Sequence, residues 1–333
     1  MCKISVIIPA YNVEDYIDKS FESLLNQTFE AFEIIAINDG SQDQTLEKMK
    51  VYEAKDTRIR VIDKINEGVG ATRNLGLSLA CGEYVIFIDP DDYVHEDFLK
   101  SLYKKAIETK ANVIICNYYE CYENSNDLVE MKIPIESNSL LSIKENKDLL
   151  FKITPAPWNK LIKTSVLKDN HIMFPLDYRS EDLTFTLKLL AKCETLAIES
   201  QLLYYYLANR MNNVSSANDE RILHTILALQ EIMKSYQEWN LKQQYACELE
   251  MLMIKQIQYE LHKVIYISDK KMAYEIIDKF YDFLKLNVGN WRNNKYYQSI
   301  KRELSLVDKY RYWIYESPKR LKFYYRIRQL KKD

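Results

Sequence analysis

Tyr84-Val85-Ile86-Phe87-Ile88-Asp89-Pro90-Asp91-Asp92 sets five apolar residues directly before three carboxylates. The apolar run is short and rich in β-branched and aromatic residues, which predicts a strand buried on both faces. Pro90 cannot donate to a sheet ladder, so the strand is expected to stop there. Its carboxyl end then carries Asp89, Asp91 and Asp92 together. Carboxylates this close repel, and a hard divalent cation with a preference for oxygen relieves that repulsion. Mg2+ or Mn2+ keeps open positions that diphosphate oxygens can fill. A plain strand-to-helix turn, with Asp92 as a local cap, would account for one Asp but not for three.

Outward from this run, strand and helix patterns alternate over the first 120 residues. Lys3–Ile8 reads as a strand, followed by a helix capped by Asn12 and running to Leu25. Phe32–Ile37 reads as a strand. Ser41-Gln42-Asp43-Gln44 fits a capping box that opens a helix to Ala54. Ile59–Ile62, a helix from Gly70 to Leu79, the Tyr84–Ile88 strand, a helix from Glu96 to Thr109 and the strand Val113–Tyr118 complete the series. Short βαβ repeats predict a mostly parallel, Rossmann-like sheet flanked by helices, with ligands bound beyond the carboxyl ends of the strands. Further on, Leu128–Ile135 reads as a returning strand, Ile143–Phe151 and Ser180–Cys193 as helices, and Thr195–Ile198 and Leu202–Leu207 as two short strands. After Asp219 only long helical patterns remain, at Glu220–Trp239, Lys242–Ile267 and Lys270–Leu286. The expected domains are therefore 1–218, an α/β domain, and 219–333, a helical domain ending in a basic tail.

Composition narrows the function classes. With 47% hydrophobic and 28% charged residues the chain can bury a sizeable core. Its six cysteines have no CxxC pair and no metal-ligand spacing, which predicts reduced, mostly buried thiols in the cytoplasm. Its four histidines are scattered and read as structural. The first apolar run, Ile4–Ile8, is too short for a secretory signal, and no segment approaches the ~20 apolar residues of a membrane span. The net charge of −2 hides an asymmetry: Arg292 to Asp333 holds 13 Lys/Arg against 4 Asp/Glu. A basic tail on an acidic body points to an anionic partner surface. Peripheral docking on the inner face of the plasma membrane, at roughly 1 kcal/mol per basic residue, is expected over nucleic acid, because no nucleic-acid-reading motif accompanies the charge.

Three strands deliver polar residues to one edge: Pro9-Ala10-Tyr11-Asn12, Asn38-Asp39-Gly40-Ser41-Gln42-Asp43 and Asp89-Pro90-Asp91-Asp92. Asn66-Glu67-Gly68-Val69-Gly70-Ala71-Thr72-Arg73-Asn74-Leu75-Gly76 lies between the last two. Tyr11 offers an aromatic face for a base, Asp39 a carboxylate for a ring N–H, and Arg73 a planar donor fork. Gly68-Val69-Gly70 followed by Arg73 lacks the third glycine of a dinucleotide-binding loop, which argues against a nicotinamide oxidoreductase. A phosphohydrolase would place its nucleophilic Asp near the first strand, not the fourth.

With these pieces in place, the sequence resembles a family 2 glycosyltransferase of the GT-A fold. The resemblance rests on Val6–Asn12, Ile37–Thr45, Asn66–Gly76, Tyr84–Asp92, Trp158–Leu161 and Ser180–Phe185, in the expected order across the first ~210 residues. It implies an inverting, metal-dependent transfer from a UDP-sugar to a saccharide acceptor, lipid-linked, in capsule, cell-wall or exopolysaccharide synthesis. By this resemblance Tyr11 and Asp39 would hold the uracil, Asn66 and Arg73 would line that pocket, and Pro9 would belong to the donor site. Asp89 would sit near the ribose and the metal, Asp91 would bind Mn2+ or Mg2+, and Asp92 reads as a local cap. Asp182 would be the general base, with Glu181 beside it. Arg210 and Ser215 or Ser216 would close over the diphosphate, and Trp158 stands between core packing and the acceptor pocket. A non-catalytic sugar-nucleotide-binding partner subunit is the alternative. Acceptor binding, homo-oligomer formation and membrane contact all stay open for the helical domain.

Overall fold

A computed structural model describes residues 2–123, 125–135, 140–208 and 219–330. The chain opens with β1 (Ile4–Ala10), α1 (Ile17–Leu25), β2 (Phe32–Asp39), α2 (Thr45–Lys55), β3 (Ile59–Lys64), α3 (Val69–Leu79) and β4 (Tyr84–Phe87). It continues through β5 (Tyr93–Val94), α4 (Phe98–Thr109), β6 (Val113–Tyr122), β7 (Ser125–Met131), β8 (Leu141–Ser142) and α5 (Leu149–Lys152). Then come β9 (Lys160–Lys163), α6 (Thr164–Asp169), α7 (Glu181–Lys192) and β10 (Thr195–Ala208). The chain divides into two compact units. One comprises Met1–Asn146, Lys152–Asp177 and Glu181–Asn212; the other comprises Lys147–Phe151, Tyr178–Ser180 and Asn213–Asp333.

In the first unit one sheet runs β3-β2-β1-β4-β9-β6-β10-β5, with β7 on β6 and β8 on β10. The first four strands of that order form the parallel block that the βαβ pattern predicts. Beyond it the sheet is mixed: β9 runs antiparallel between β4 and β6, while β10 pairs parallel with β6. β9 escapes a sequence reading because Lys160-Leu161-Ile162-Lys163 is only four residues long with a lysine at each end. The expected Thr195–Ile198 and Leu202–Leu207 strands are one continuous β10 with register shifts between Glu199 and Tyr204. The helix expected over Ile143–Phe151 is reduced to α5.

Every residue of β1 and β4 is buried, so both faces of the sheet centre are covered. Alternation then assigns the helices. Ile4, Val6 and Ile8 share a cluster with Phe21 of α1, Met49 of α2 and Leu102 of α4. Ile7 points the other way, onto α3. There Gly76 is required, because a Cβ at that position would lie 2.4 Å from Ile7 Cγ2. Phe87 packs on this second face against Phe174 and Phe185, with ring centroids 5.0 and 5.6 Å away.

Two cap assignments from the sequence are corrected. α1 begins at Ile17, and Asn12 sits at φ +49° outside it. Asn12 Oδ1 instead accepts from the Gln42 N–H at 2.8 Å, and the Asn12 N–H donates to Ser41 Oγ at 3.0 Å. Ser41 therefore does not cap α2; Asp43 Oδ1 accepts from the Thr45 N–H at its start. The two "caps" are a reciprocal lock between the loops that follow β1 and β2. Three of the six cysteines, Cys116, Cys121 and Cys193, are buried, while Cys81 is exposed and Cys2 and Cys247 are half-buried.

In the second unit the described helices are α8 (His224–Glu238), α9 (Ala246–Val264), α10 (Lys270–Asn287), α11 (Lys295–Glu303), α12 (Leu306–Tyr315) and α13 (Pro318–Gln329). Asp269, Asn294 and Ser305 cap α10, α11 and α12 through their side chains, and Pro318 occupies the first turn of α13. α9 starts four residues later than its apolar pattern, at Ala246. α11 and α12 are short and rich in tyrosine and charge, so their periodicity does not announce them. Among the described residues no helix is long and apolar enough to cross a membrane.

Candidate active site

The order β3-β2-β1-β4 sets four strand ends side by side. Adjacent strands lie about 4.8 Å apart, so residues just past these ends can face one ligand. Pro9 is buried as the last residue but one of β1, and Tyr11 follows the strand with 46% of its surface exposed. Asp39 closes β2. It is 3% exposed and accepts from Lys64 Nζ at 2.5 Å and from the Glu67 and Gly68 N–H groups at 2.9 Å each. Burial works to raise the Asp39 pKa, but the Lys64 ammonium and the two backbone donors outweigh it and hold the carboxyl below its ordinary value. Asp39 thereby pins the turn after β3, which leaves Asn66 exposed. Gly68 makes that turn at φ +90°, a backbone conformation that favours glycine.

At the end of β4 a second constellation forms around Arg73. This side chain of α3 is 3% exposed. Its Nη1 donates to Asp182 Oδ1 at 2.6 Å and to Glu181 Oε1 at 3.3 Å, and its Nη2 donates to Asp89 Oδ1 at 2.9 Å. Phe174 lies beneath the guanidinium, 5.1 Å from its carbon to the ring centroid. Nε is buried without a hydrogen-bond partner. The fork that the sequence assigns to the uracil pocket is thus committed to carboxylates from β4 and α7. Burial opposes the Arg73 charge, but the three carboxylates outweigh it and raise the pKa above its ordinary value. Asp182 is pushed up to about 8. Burial is the largest cause, and Glu181 and Asp89 add to it against the pull of Arg73. A carboxyl poised near neutral pH is suited to taking up a proton.

Asp89 and Asp91 are both partly exposed at this end. Asp92 is different, and its reading as a local cap is corrected. It is 1% exposed, accepting from Tyr204 Oη at 2.6 Å and from the Leu207 N–H at 2.7 Å. Asp92 anchors the strand end to β10. Burial, reinforced by Asp91 and Asp89, drives its pKa well above the ordinary carboxylate range. Two partly exposed carboxylates remain as hard oxygen donors at the end of β4. Among the described residues, the set of three His, Cys, Asp or Glu ligand atoms that lie close together is Cys2, Glu33 and Cys81, outside this site. Carboxylate oxygens of this kind are the ligand type that Mg2+ and Mn2+ take.

Trp158, set between core and acceptor pocket by its sequence, is core: it is 4% exposed and stacks on Tyr204 and Tyr206 at 4.5 and 5.3 Å. Arg210, Ser215 and Ser216 lie outside the described residues.

Two residues that sequence reasoning missed hold the site in shape. Asn74, one position after Arg73, donates to the Phe174 carbonyl at 2.8 Å and accepts from the Phe174 N–H at 2.9 Å. Gly70 permits this approach, since a Cβ there would lie 2.3 Å from the Pro175 carbonyl oxygen. Asn74→Ala strands both Phe174 backbone groups and is expected to cost about 1–3 kcal/mol, read from the midpoint of urea unfolding. An unchanged midpoint would show that the clamp contributes nothing. Lys160, next but one to Trp158, is fully buried and donates to the Thr154 and Ala156 carbonyls and to Asn159 Oδ1 at 2.6–2.9 Å. Burial among uncharged acceptors pulls its pKa down to about 7. The signal in both cases was present as a motif residue, but a polar residue inside a motif reads as ligand-facing until its backbone partners are visible.

Residues 5–170 match the family described as "Glycosyl transferase family 2". The chain is 30% identical over 233 residues to glycosyltransferase GlyA of Streptococcus pneumoniae, covering 68% of this chain and 33% of that protein. It is 29% identical over 256 residues to putative glycosyltransferase EpsH of Bacillus subtilis, covering 75% and 74%. It is 32% identical over 214 residues to poly(ribitol-phosphate) beta-N-acetylglucosaminyltransferase TarS of Staphylococcus aureus, covering 63% and 36%. The chain thus spans about a third of GlyA and of TarS and most of EpsH. The crystal structure of S. aureus TarS 1-349 in complex with UDP-GlcNAc superposes with a TM-score of 0.62 at 24% identity, over 87% of this chain and 91% of that one.

Proposed function

Because the chain belongs to the family 2 glycosyltransferases of the GT-A fold, we propose that it moves a sugar from a UDP-sugar to a hydroxyl of a saccharide acceptor, with inversion at the anomeric carbon. The observation that carries this reading is the Arg73 cluster, which brings Asp182, Glu181 and Asp89 together beside Asp91. In this reading Tyr11 stacks on the uracil, and Asp39, held ionised, accepts from its ring N–H. Asp182 takes the proton of the acceptor hydroxyl as that oxygen attacks. Arg73 holds Asp182 in place and remains positively charged throughout. No covalent enzyme intermediate is required. Asp91, with Asp89, would hold a Mn2+ or Mg2+ ion, whose charge would stabilise the departing diphosphate. UDP is favoured as the carrier because TarS was solved with UDP-GlcNAc. TarS is a poly(ribitol-phosphate) glycosyltransferase, which supports a cell-wall or related polysaccharide acceptor here. A lipid-linked form of that acceptor and peripheral placement on the inner membrane face fit the basic C-terminal segment.

The test is a panel of UDP-sugars screened for slow UDP release with Mn2+, on the native chain and on Asp91→Asn. One donor is expected to turn over. Asp91→Asn should weaken metal-dependent UDP binding at least about tenfold, or about 1.4 kcal/mol. UDP binding without turnover of any donor would favour the non-catalytic partner subunit instead.

A further inference from the structure

Helices α12 and α13 turn apolar side chains toward solvent. On α12, Leu306, Tyr310 and Trp313 recur at i, i+4 and i+7 and are 85%, 59% and 47% exposed. On α13, Phe323, Ile327 and Leu330 repeat the same spacing into the residue after the helix, at 64%, 38% and 76%. These are not the faces that hold the helices in the fold. α12 buries Ile314, and α13 buries Leu321 and Tyr325, whose Oη donates to the Ile267 carbonyl at 2.8 Å. The two stripes join. Arg320 stacks on Trp313 at 4.4 Å and donates to its carbonyl at 2.7 Å. Phe323 and Ile327 follow Arg320 at i+3 and i+7, on the same side of α13. Single exposed apolar residues are ordinary on protein surfaces, but two joined stripes mark an interaction site.

The charges choose the partner. From Ser305 to Leu330 the chain carries seven Lys/Arg and two Asp/Glu. Lys322 is paired with Asp278, and Arg326 donates to Tyr274 Oη. Lys319 is exposed one turn before Phe323 on the same side of α13, and Lys309 follows Leu306 at i+3 on α12. An apolar stripe flanked by cations, with Trp and Tyr in it, fits the boundary between the headgroups and acyl chains of an anionic bilayer.

We infer that the joined α12–α13 stripes insert into the surface of an anionic membrane, so that docking is hydrophobic as well as electrostatic. This deepens the membrane placement proposed above and does not depend on the donor. The full chain is to be mixed with phosphatidylcholine vesicles with and without phosphatidylglycerol. Binding is followed by co-sedimentation and by tryptophan emission, with Trp313→Phe identifying the responding ring. Binding is expected only with phosphatidylglycerol, with a blue shift that Trp313→Phe removes. At high salt a measurable fraction should stay bound. Phe323→Ser/Ile327→Ser and Lys309→Ala/Lys319→Ala should each lower partitioning about tenfold. No binding, or binding lost fully in salt and indifferent to Phe323→Ser/Ile327→Ser, would overturn insertion. A dimer that this double variant converts to monomer, with vesicle binding unchanged, would assign the face to a second copy of the chain and also overturn it. UDP release measured without vesicles reports separately on sugar transfer, so either reading can fail alone.

Discussion

Asp182→Asn is expected to lower sugar transfer by about 10²–10⁴-fold, the range associated with loss of a general base, while leaving UDP affinity within about twofold. The structure makes this substitution a clean one. Asn keeps an oxygen that can accept from Arg73 Nη1, which now meets Asp182 Oδ1 at 2.6 Å, so the cluster retains its shape. What is lost is the ability to take a proton. Initial rates of UDP release with saturating acceptor, together with a direct UDP titration, separate the two effects. Transfer at near native rate would move the base elsewhere, with Glu181 the first candidate because it shares the same Arg73 nitrogen.

Arg73→Ala should be the most damaging single change to stability in the catalytic unit, at about 3–5 kcal/mol, because it leaves buried charge without its partner. Asp89, Glu181 and Asp182 converge on this one guanidinium, and none has a second cation in contact with it among the described ion pairs. The loss should depend on pH, and its sign follows from linkage. Without Arg73, Asp182 keeps the burial and neighbouring carboxylates that raise its folded pKa and loses the guanidinium that lowers it, so that pKa rises further above its unfolded value of about 4. A raised folded pKa means that the native state binds more protons than the unfolded state. Stability is then fully present below about pH 4 and is lost as pH rises through the folded values. Asp182 already stands at about 8 with Arg73 in place. Both proteins lose this contribution alike up to about pH 8, where native Asp182 titrates, so the gap between native and variant in urea unfolding should stay level below that pH and widen above it. A gap that does not widen above about pH 8 would show that Arg73 acts by packing on Phe174 rather than by charge.

Much of the catalytic unit was legible in the chain. Continuous apolar runs at β1, β2 and β4 announce strands covered on both faces, and Pro90 marks where β4 gives way to its acids. Adjacent parallel strands place Tyr11, Asp39 and Asp89 along one edge with little freedom to do otherwise. The mixed half of the sheet was less visible. β9 carries its apolar signal in two residues, and β10 is interrupted by Glu199-Ser200-Gln201, which reads as a break but is absorbed as register shifts. Cap signals misled where a side chain satisfied a backbone group in a neighbouring loop instead of its own helix, as Asn12 and Ser41 do.

By itself the sequence determined the strand–helix alternation that builds the parallel block β3-β2-β1-β4, the family, and the presence of carboxylates at the end of β4. These depend on local periodicity and on residues close together in the chain. The tertiary structure decided what each polar residue does. Arg73 and Asp182 are 109 positions apart, and Asp92 and Tyr204 are 112 apart. Chemistry alone could send Arg73 to a nucleotide, Asp92 to a helix cap and Trp158 to an acceptor. Folding sends Arg73 to three carboxylates, Asp92 to β10 and Trp158 into an aromatic stack. The physical reason is that a buried polar group must find its partner wherever the fold brings one within about 3 Å, and sequence spacing does not record which distant residue that will be.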